Sequence, residues 1–381
     1  MHLITPVLRD YAWGTTGDIA ELLGIAPTGA PIAEAWWGTH DTAPSAAQLD
    51  DGPHSLRDLI ASEPDSCLGP VQHRRWGARL PFLLKLLAID KPLSIQVHPT
   101  LAQARAGFDR ENAARAPTRQ FRDPYHKPEL VYALTPMTVL AGVRDCDALR
   151  EDLSTLRTSA ADGLAHTLGA GRLDAFMRAA LALDDGGETL DALAEAGGRS
   201  PESSSLRVSA DALARFPGDR GAIVALALNV VELAPGDAVY TGAGVLHSYQ
   251  SGLGIEVMAN SDNVVRAGLT PKHVDVSLLL ELADTVPSAP ERPDLSLEGA
   301  AVTLTTPAEE FALTVVTDGA VDVPAGPRIV LVVQGEATVR SDEEERGLRR
   351  GQAVFVRADE GAAHVVATGT AVVAHLPRAR G

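Results

Sequence analysis

Cysteine is nearly absent from this chain: Cys67 and Cys146 are the only two in 381 residues. One pair cannot build a disulfide framework, and neither residue sits in CxxC-type metal spacing, so both are expected to be reduced bystanders in a cytoplasmic protein. Long apolar runs are also missing. One of the longest, Pro81 to Ile89, is interrupted by Lys85 and falls well short of a membrane span. The N-terminus shows no basic start, apolar core and small-residue cleavage site, so secretion is not expected. Basic residues are outnumbered, with 33 Lys and Arg against 50 Asp and Glu, for a formal charge of −17. Nucleic acid and anionic membrane both demand basic surface, and neither is expected as a partner. A small anionic substrate stays open, because a pocket can be locally positive. Lys85, Lys127, Arg266 and Lys272 all lie in or beside the segments that carry candidate chemistry.

What is present is enough for large cores and more than one domain: 381 residues, 45% of them hydrophobic. From residue 1 to 143, short apolar runs alternate with Gly, Pro and Asp turns, which predicts mostly strands, with helix between His54 and Leu68 and around Leu101 to Asn112. From 144 to 218 the period changes. Leu149, Leu153 and Leu156 recur at helical spacing, as do Leu173, Phe176, Met177 and Leu181, so this stretch is expected to be a helical insertion. Strand texture returns over 219–286, with a helix near Pro271 to Ala283, and a proline-rich linker, Pro287 to Pro293, follows. The remainder of 287–381 is strands and turns. It carries a short echo of the middle of the chain: Pro235 to Tyr240 precede His247 much as Arg350 to Phe355 precede His364. A strand, a glycine-rich turn and a histidine resemble the second motif of the cupin β-barrel, which implies two related jelly-roll barrels.

The run Leu93-Ser94-Ile95-Gln96-Val97-His98-Pro99 carries the most chemistry. On a strand, residues two apart share a face, so Gln96 and His98 present an amide and an imidazole side by side, with Ser94 one step earlier. Ile95 and Val97 then face the packing. Glu129, after His126-Lys127-Pro128, and His247, in the turn Gly242 to His247, complete a ligand inventory. Zinc takes histidine nitrogen and carboxylate oxygen and leaves a position open in catalytic sites. Two histidines and one carboxylate serve non-haem iron equally well, as in a cupin oxygenase. Gln96 discriminates, since a neutral amide leaves the site less negative than a second carboxylate would. His364 has no Gln-x-His partner before it and is expected to be a relic in a metal-free barrel.

Taken together, Tyr11-Ala12-Trp13-Gly14, Ala33-Glu34-Ala35-Trp36-Trp37-Gly38-Thr39-His40, Leu80 to Lys85, Ser94 to Pro99, His126 to Glu129, Gly244 to Tyr249 and Asn260 to Thr270 resemble the class I, zinc-dependent mannose-6-phosphate isomerases over nearly the whole chain. The resemblance implies two cupin-type barrels flanking a helical domain. It implies one zinc ion held by Gln96, His98, Glu129 and His247, and Arg266 as the catalytic arginine. The reaction it implies interconverts mannose 6-phosphate and fructose 6-phosphate through a cis-enediol. A base is then needed, for which Glu256 and Lys127 are both candidates, while His126 and Asp262 are candidates for ring opening. Lys85, Ser94, Tyr249 and Trp13 are expected in the substrate pocket, with Lys272 towards the phosphate. The expected partner is the sugar phosphate alone, and the expected assembly a monomer or weak homodimer. A non-catalytic sugar-phosphate-binding protein is the remaining alternative.

Overall fold

The computed structural model describes residues 1–115, 119–169 and 171–378. Antiparallel strands dominate and form two sheets. The first runs through Leu228–Leu233, Met137–Val143, His247–Ala259, Phe82–Ile89, Glu34–His40 and Val7–Arg9, with Glu129–Ala133, Ala238–Thr241, Ile95–Val97 and Val265–Gly268 paired to it off that path. The second runs through Asp294–Glu298, Ala301–Thr305, Ala312–Val323, Ala363–His375, Arg328–Arg340 and Ala353–Val356, and continues into His2–Thr5, Ala46–Leu49 and Gly52–Ser55. Each order is an open path, whereas the resemblance implied closed barrels.

The N-terminal strand and the hairpin over 46–55 therefore lie in the sheet of the chain's last third, not with the rest of 1–143. His2, Leu3 and Ile4 pair with Phe355, Val354 and Ala353. Partners so distant in sequence leave no local pattern. The two sheets also share a core, in which Ala35, Trp37, Phe82 and Leu84 pack with Phe311, Leu313 and Phe355. Strand Phe82–Ile89 is buried along its whole length, which is why its apolar run is nearly continuous rather than alternating. Leu87 and Ile89 join a second cluster with Val131, Val139 and Val239. Lys85 is the one charge in this strand.

Helices Cys146–Leu156, Ser159–His166, Asp174–Leu181, Glu188–Gly198 and Ser205–Arg215 occupy the segment whose spacing predicted them. Leu149, Leu153 and Leu156 form the buried face of the first, and Asp145, Thr158 and Ser204 cap their helices by accepting backbone N–H bonds. This helical block packs directly on the strands of the site, since Leu153, Leu213 and Ala222 share a cluster with Ile95, Val97 and Val265. Just past this block the packing is glycine on glycine: a Cβ on Gly268, whose φ is +144°, would stand 2.4 Å from the Gly221 Cα. The proline-rich linker is pinned to the first sheet, with Ser288 N–H donating to Val143 and the Arg292 guanidinium to the Ala238 carbonyl.

Candidate metal centre and substrate cavity

Register brings the site together. His247, Gln96 and Arg266 are neighbours across three strands, His247 opposite Gln96 and Gln96 opposite Arg266. Further along the long strand His247–Ala259, Glu256 lies opposite Lys85, and Lys85 opposite Trp36. Glu129 opens its strand between Thr241 and Met258. Side chains directly opposite in antiparallel strands stand close enough to interact, so pairing draws each of these sets together.

His98, Glu129 and His247 are buried, and their ligand atoms all lie within 4.8 Å of one another. His98 Nδ1 is 2.7 Å from the Asn263 carbonyl, and His247 Nδ1 is 2.9 Å from that of Val245. A carbonyl only accepts, so each Nδ1 carries the hydrogen and each Nε2 presents a lone pair. These face the Glu129 carboxylate, with His98 Nε2 3.2 Å from Oε1 and His247 Nε2 3.2 Å from Oε2. His98 Nε2 is buried without a hydrogen bond. Burial, assisted by nearby Lys127, holds His98 down to about 4, in keeping with a neutral ring. Three acceptors converging in a dry site repel one another unless a cation sits between them, and this donor set fits a divalent metal ion. The Gln96 amide stands 3.3 Å from His247 Nε2 through its nitrogen. A half-turn of the amide, which exchanges its nitrogen and oxygen, would present the oxygen there as a further donor. Around the ligands, Tyr249 Oη donates to Glu129 Oε2 at 3.0 Å and the Lys127 ammonium pairs with Glu129 Oε1. Burial opposes the Glu129 charge, but the adjacent Lys127 ammonium outweighs it and holds the carboxyl well below its usual range.

The centre lies at the wall of a cavity of 550 Å³. Trp13, Lys85, Ser94, Gln96, Lys127, Glu129, Tyr249, Glu256, Asp262, Arg266 and Lys272 all line it, so the chain brings together nearly every residue singled out in the sequence. Lys85 Nζ is 2.9 Å from Glu256 and 3.8 Å from Glu34. Burial disfavours its charge, but the two carboxylates prevail and raise its pKa. Glu256 is pushed up by burial, against the pull of Lys85. At the other side, burial and Arg122 lower Arg266, and Arg266 with burial lowers Lys272. Cations crowded together without a facing carboxylate favour a bound anion.

Among the residues expected in catalysis or substrate binding, His126 is the exception. It does not line the cavity: its Nε2 is 2.6 Å from Glu310 Oε1, on the loop before strand Ala312–Val323. One residue of offset from Lys127 turns it outward, where it ties this loop to the second sheet. Tyr249 is fully buried, with its hydroxyl committed to Glu129. His364 forms an exposed pair with Asp322, remote from any metal cluster found among the described residues. Several site residues carried no individual signal. Glu34 accepts from the Trp36 indole, and both line the cavity. Asn263 holds Arg122, Asp123 and Tyr125 through its side chain while its carbonyl fixes His98. Their single cue was membership of the longer motifs around Trp36 and Arg266.

Fold and site define a β-rich protein of the metal-site class with a cavity suited to a small anion. Residues 1–146 match the family described as phosphomannose isomerase type I, catalytic domain. The mannose-6-phosphate isomerase of Salmonella typhimurium is 36% identical over 97% of this chain and 98% of its own, and that of Bos taurus 30% identical over 93% and 92%. A crystal structure of mannose 6-phosphate isomerase bound with zinc and yttrium superposes with a TM-score of 0.91 at 33% identity, covering 99% of this chain and 100% of the other. The chain belongs to the type I mannose-6-phosphate isomerase family. No helix among its described residues is long and apolar enough to cross a membrane.

Proposed function

We propose that this protein is a zinc-dependent aldose-ketose isomerase that interconverts mannose 6-phosphate and fructose 6-phosphate. Gln96, His98, Glu129 and His247 are the residues that would hold the ion. The carrying observation is the convergence of two imidazole lone pairs on one buried carboxylate, each imidazole locked by a carbonyl behind it. A zinc ion held by these residues would supply Lewis acidity that stabilises the developing enediolate, worth several kcal/mol.

The chain's own groups do the rest. Glu256 is the base in this reading: it lines the cavity, and a carboxyl whose pKa burial raises is a stronger base than an ordinary one. It takes the proton from C2 of the aldose and returns it to C1 on the same face, which a cis-enediol allows a single base to do. Lys85 holds Glu256 in place. Lys127, beside Glu129, donates to the substrate oxygens. Arg266, planar and permanently charged, stabilises negative charge developing on the same oxygens, and Lys272 attracts the phosphate. Ser94 and Trp13 shape the wall. Asp262 accepts a proton during ring opening.

The domain reading we adopt has a catalytic unit over 1–143 and 219–286, a helical insertion over 144–218 and a C-terminal unit over 287–381, with the N-terminal strands lent to the last. Two jelly rolls of cupin type are supported by the echo between Gly236 to His247 and Gly351 to His364. A cytoplasmic location is supported by two unpaired cysteines, and a monomer or weak homodimer is the assembly adopted. The test measures fructose 6-phosphate formation from mannose 6-phosphate with and without chelation, while recording oxygen uptake. Chelator-sensitive isomerisation without oxygen uptake is expected; oxygen consumption would favour an iron oxygenase instead.

A further inference from the structure

His40 ends strand Glu34–His40, and the turn Asp41-Thr42 leads straight back to Ala43, which pairs with His40. That tight return places Thr42 against the imidazole. Thr42 N–H donates to His40 Nδ1 at 3.3 Å, and the Thr42 hydroxyl lies 3.1 Å from the same atom. An N–H donor requires a lone pair on Nδ1, so the ring hydrogen is on Nε2. Nε2 is 3.0 Å from Asp262 Oδ1 and donates to it. The ring is also gripped edge-on by Trp36, with centroids 4.8 Å apart. His40 is buried, whereas the Asp262 side chain is about half exposed, and both line the substrate cavity. The backbone of Asp262 is fixed in turn by its N–H bond to Asp123 Oδ2. A buried histidine is thus held on every side by polar or aromatic partners, with its one free donor spent on an accessible carboxylate.

We propose that His40 is the positioning residue of a Thr42–His40–Asp262 chain that orients the Asp262 carboxylate as the base for opening the sugar ring. The proposal rests on the isomerase reading and on the placement of Asp262 in ring opening. In that step the anomeric O1–H proton passes to Asp262 as the C1=O π bond forms. The C1–O5 bond breaks, its electron pair stays on O5, and O5 takes a proton from solvent; Asp262 later releases its own to solvent. The imidazole keeps its Nε2 hydrogen throughout. Its bond also holds the Asp262 carboxyl below the ordinary range, against the opposing effect of burial, so the carboxylate is ionised when the sugar arrives.

The experiment uses the full-length zinc-loaded enzyme and mannose 6-phosphate carrying deuterium at C2. His40→Leu is expected to keep the zinc content of the parent and lose about ten- to a hundredfold in kcat/KM, the range for one hydrogen bond to a charged group. The primary isotope effect on kcat/KM should fall below the parent value, or stay near unity if ring opening already limits the parent. His40→Gln, which retains an N–H donor, should recover a large part of the loss. A loss under about threefold, or an isotope effect larger than the parent's, overturns the proposal, since proton transfer and not ring opening would then be impaired. Asp262→Asn separates the two levels. If it leaves turnover intact, the placement of Asp262 is wrong; if it collapses turnover while His40→Leu does not, only the role of His40 falls.

Discussion

Replacing Lys85 by Met removes the ammonium between Glu256 and Glu34 while keeping most of its apolar stem. The side chains of Lys85 and Glu256 are only 8% and 4% exposed, so the remaining carboxylates are largely withdrawn from bulk water. Removing one partner of a buried pair costs about 3–5 kcal/mol, mostly as the uncompensated charge left behind. The cost must depend on pH. Glu256 is already raised by burial against the pull of Lys85, and without Lys85 it rises further. A carboxyl whose folded pKa lies above its unfolded value stabilises the fold fully below the unfolded pKa, near 4, and that contribution is lost as pH rises through the folded pKa. Relative to the parent, Lys85→Met should therefore lose little stability at pH 5 and most at pH 8, with a slope of up to about 1.4 kcal/mol per pH unit in between. Equilibrium denaturation of both proteins at each pH measures this, since metal release common to both cancels in the difference. Adding Glu256→Gln to Lys85→Met should recover more than half of the loss at pH 8 and flatten the slope, with Glu34 accounting for the remainder. An identical loss at pH 5 and pH 8 would refute the reasoning, because it would mean that packing of the lysine stem, not its charge, is what the strand requires.

Tyr249→Phe deletes the hydroxyl that orients Glu129 and should weaken zinc affinity about tenfold, read by competition with a chromogenic chelator. Arg266→Ala should lower kcat at least a hundredfold while zinc content is unchanged, as elemental analysis beside steady-state kinetics will register. Gly221→Val forces a branched side chain against Gly268 and Leu269 and should destabilise the protein by about 2 kcal/mol or more, with a matching fall in the thermal midpoint.

How much of this was legible beforehand depends on how local each determinant is. Gln96 and His98 could be placed on one face because strand alternation is a property of adjacent residues, and Ile95 and Val97 are indeed buried opposite them. The helical block was legible for the same reason, through the spacing of Leu149, Leu153 and Leu156. Open strand order and the recruitment of His2–Thr5 to the C-terminal sheet were not, since pairing between remote segments has no period. His126 illustrates the limit of motif proximity: adjacent to Lys127, it faces Glu310 and leaves the cavity. His40 and Asn263 were visible only as members of longer matching runs, because a histidine that orients a carboxylate, or an amide that ties three loops, needs its distant partner to be recognised.

In the proposed mechanism one zinc ion, held by Gln96, His98, Glu129 and His247, makes this protein an isomerase. Titrating zinc into chelator-stripped protein while following fructose 6-phosphate formation tests it most directly. Activity should rise from near zero in proportion to added zinc and break sharply at one ion per chain, and Glu129→Gln should remove both the break and the activity. Isomerisation that persists in stripped protein, or in Glu129→Gln lacking bound zinc, would contradict the account.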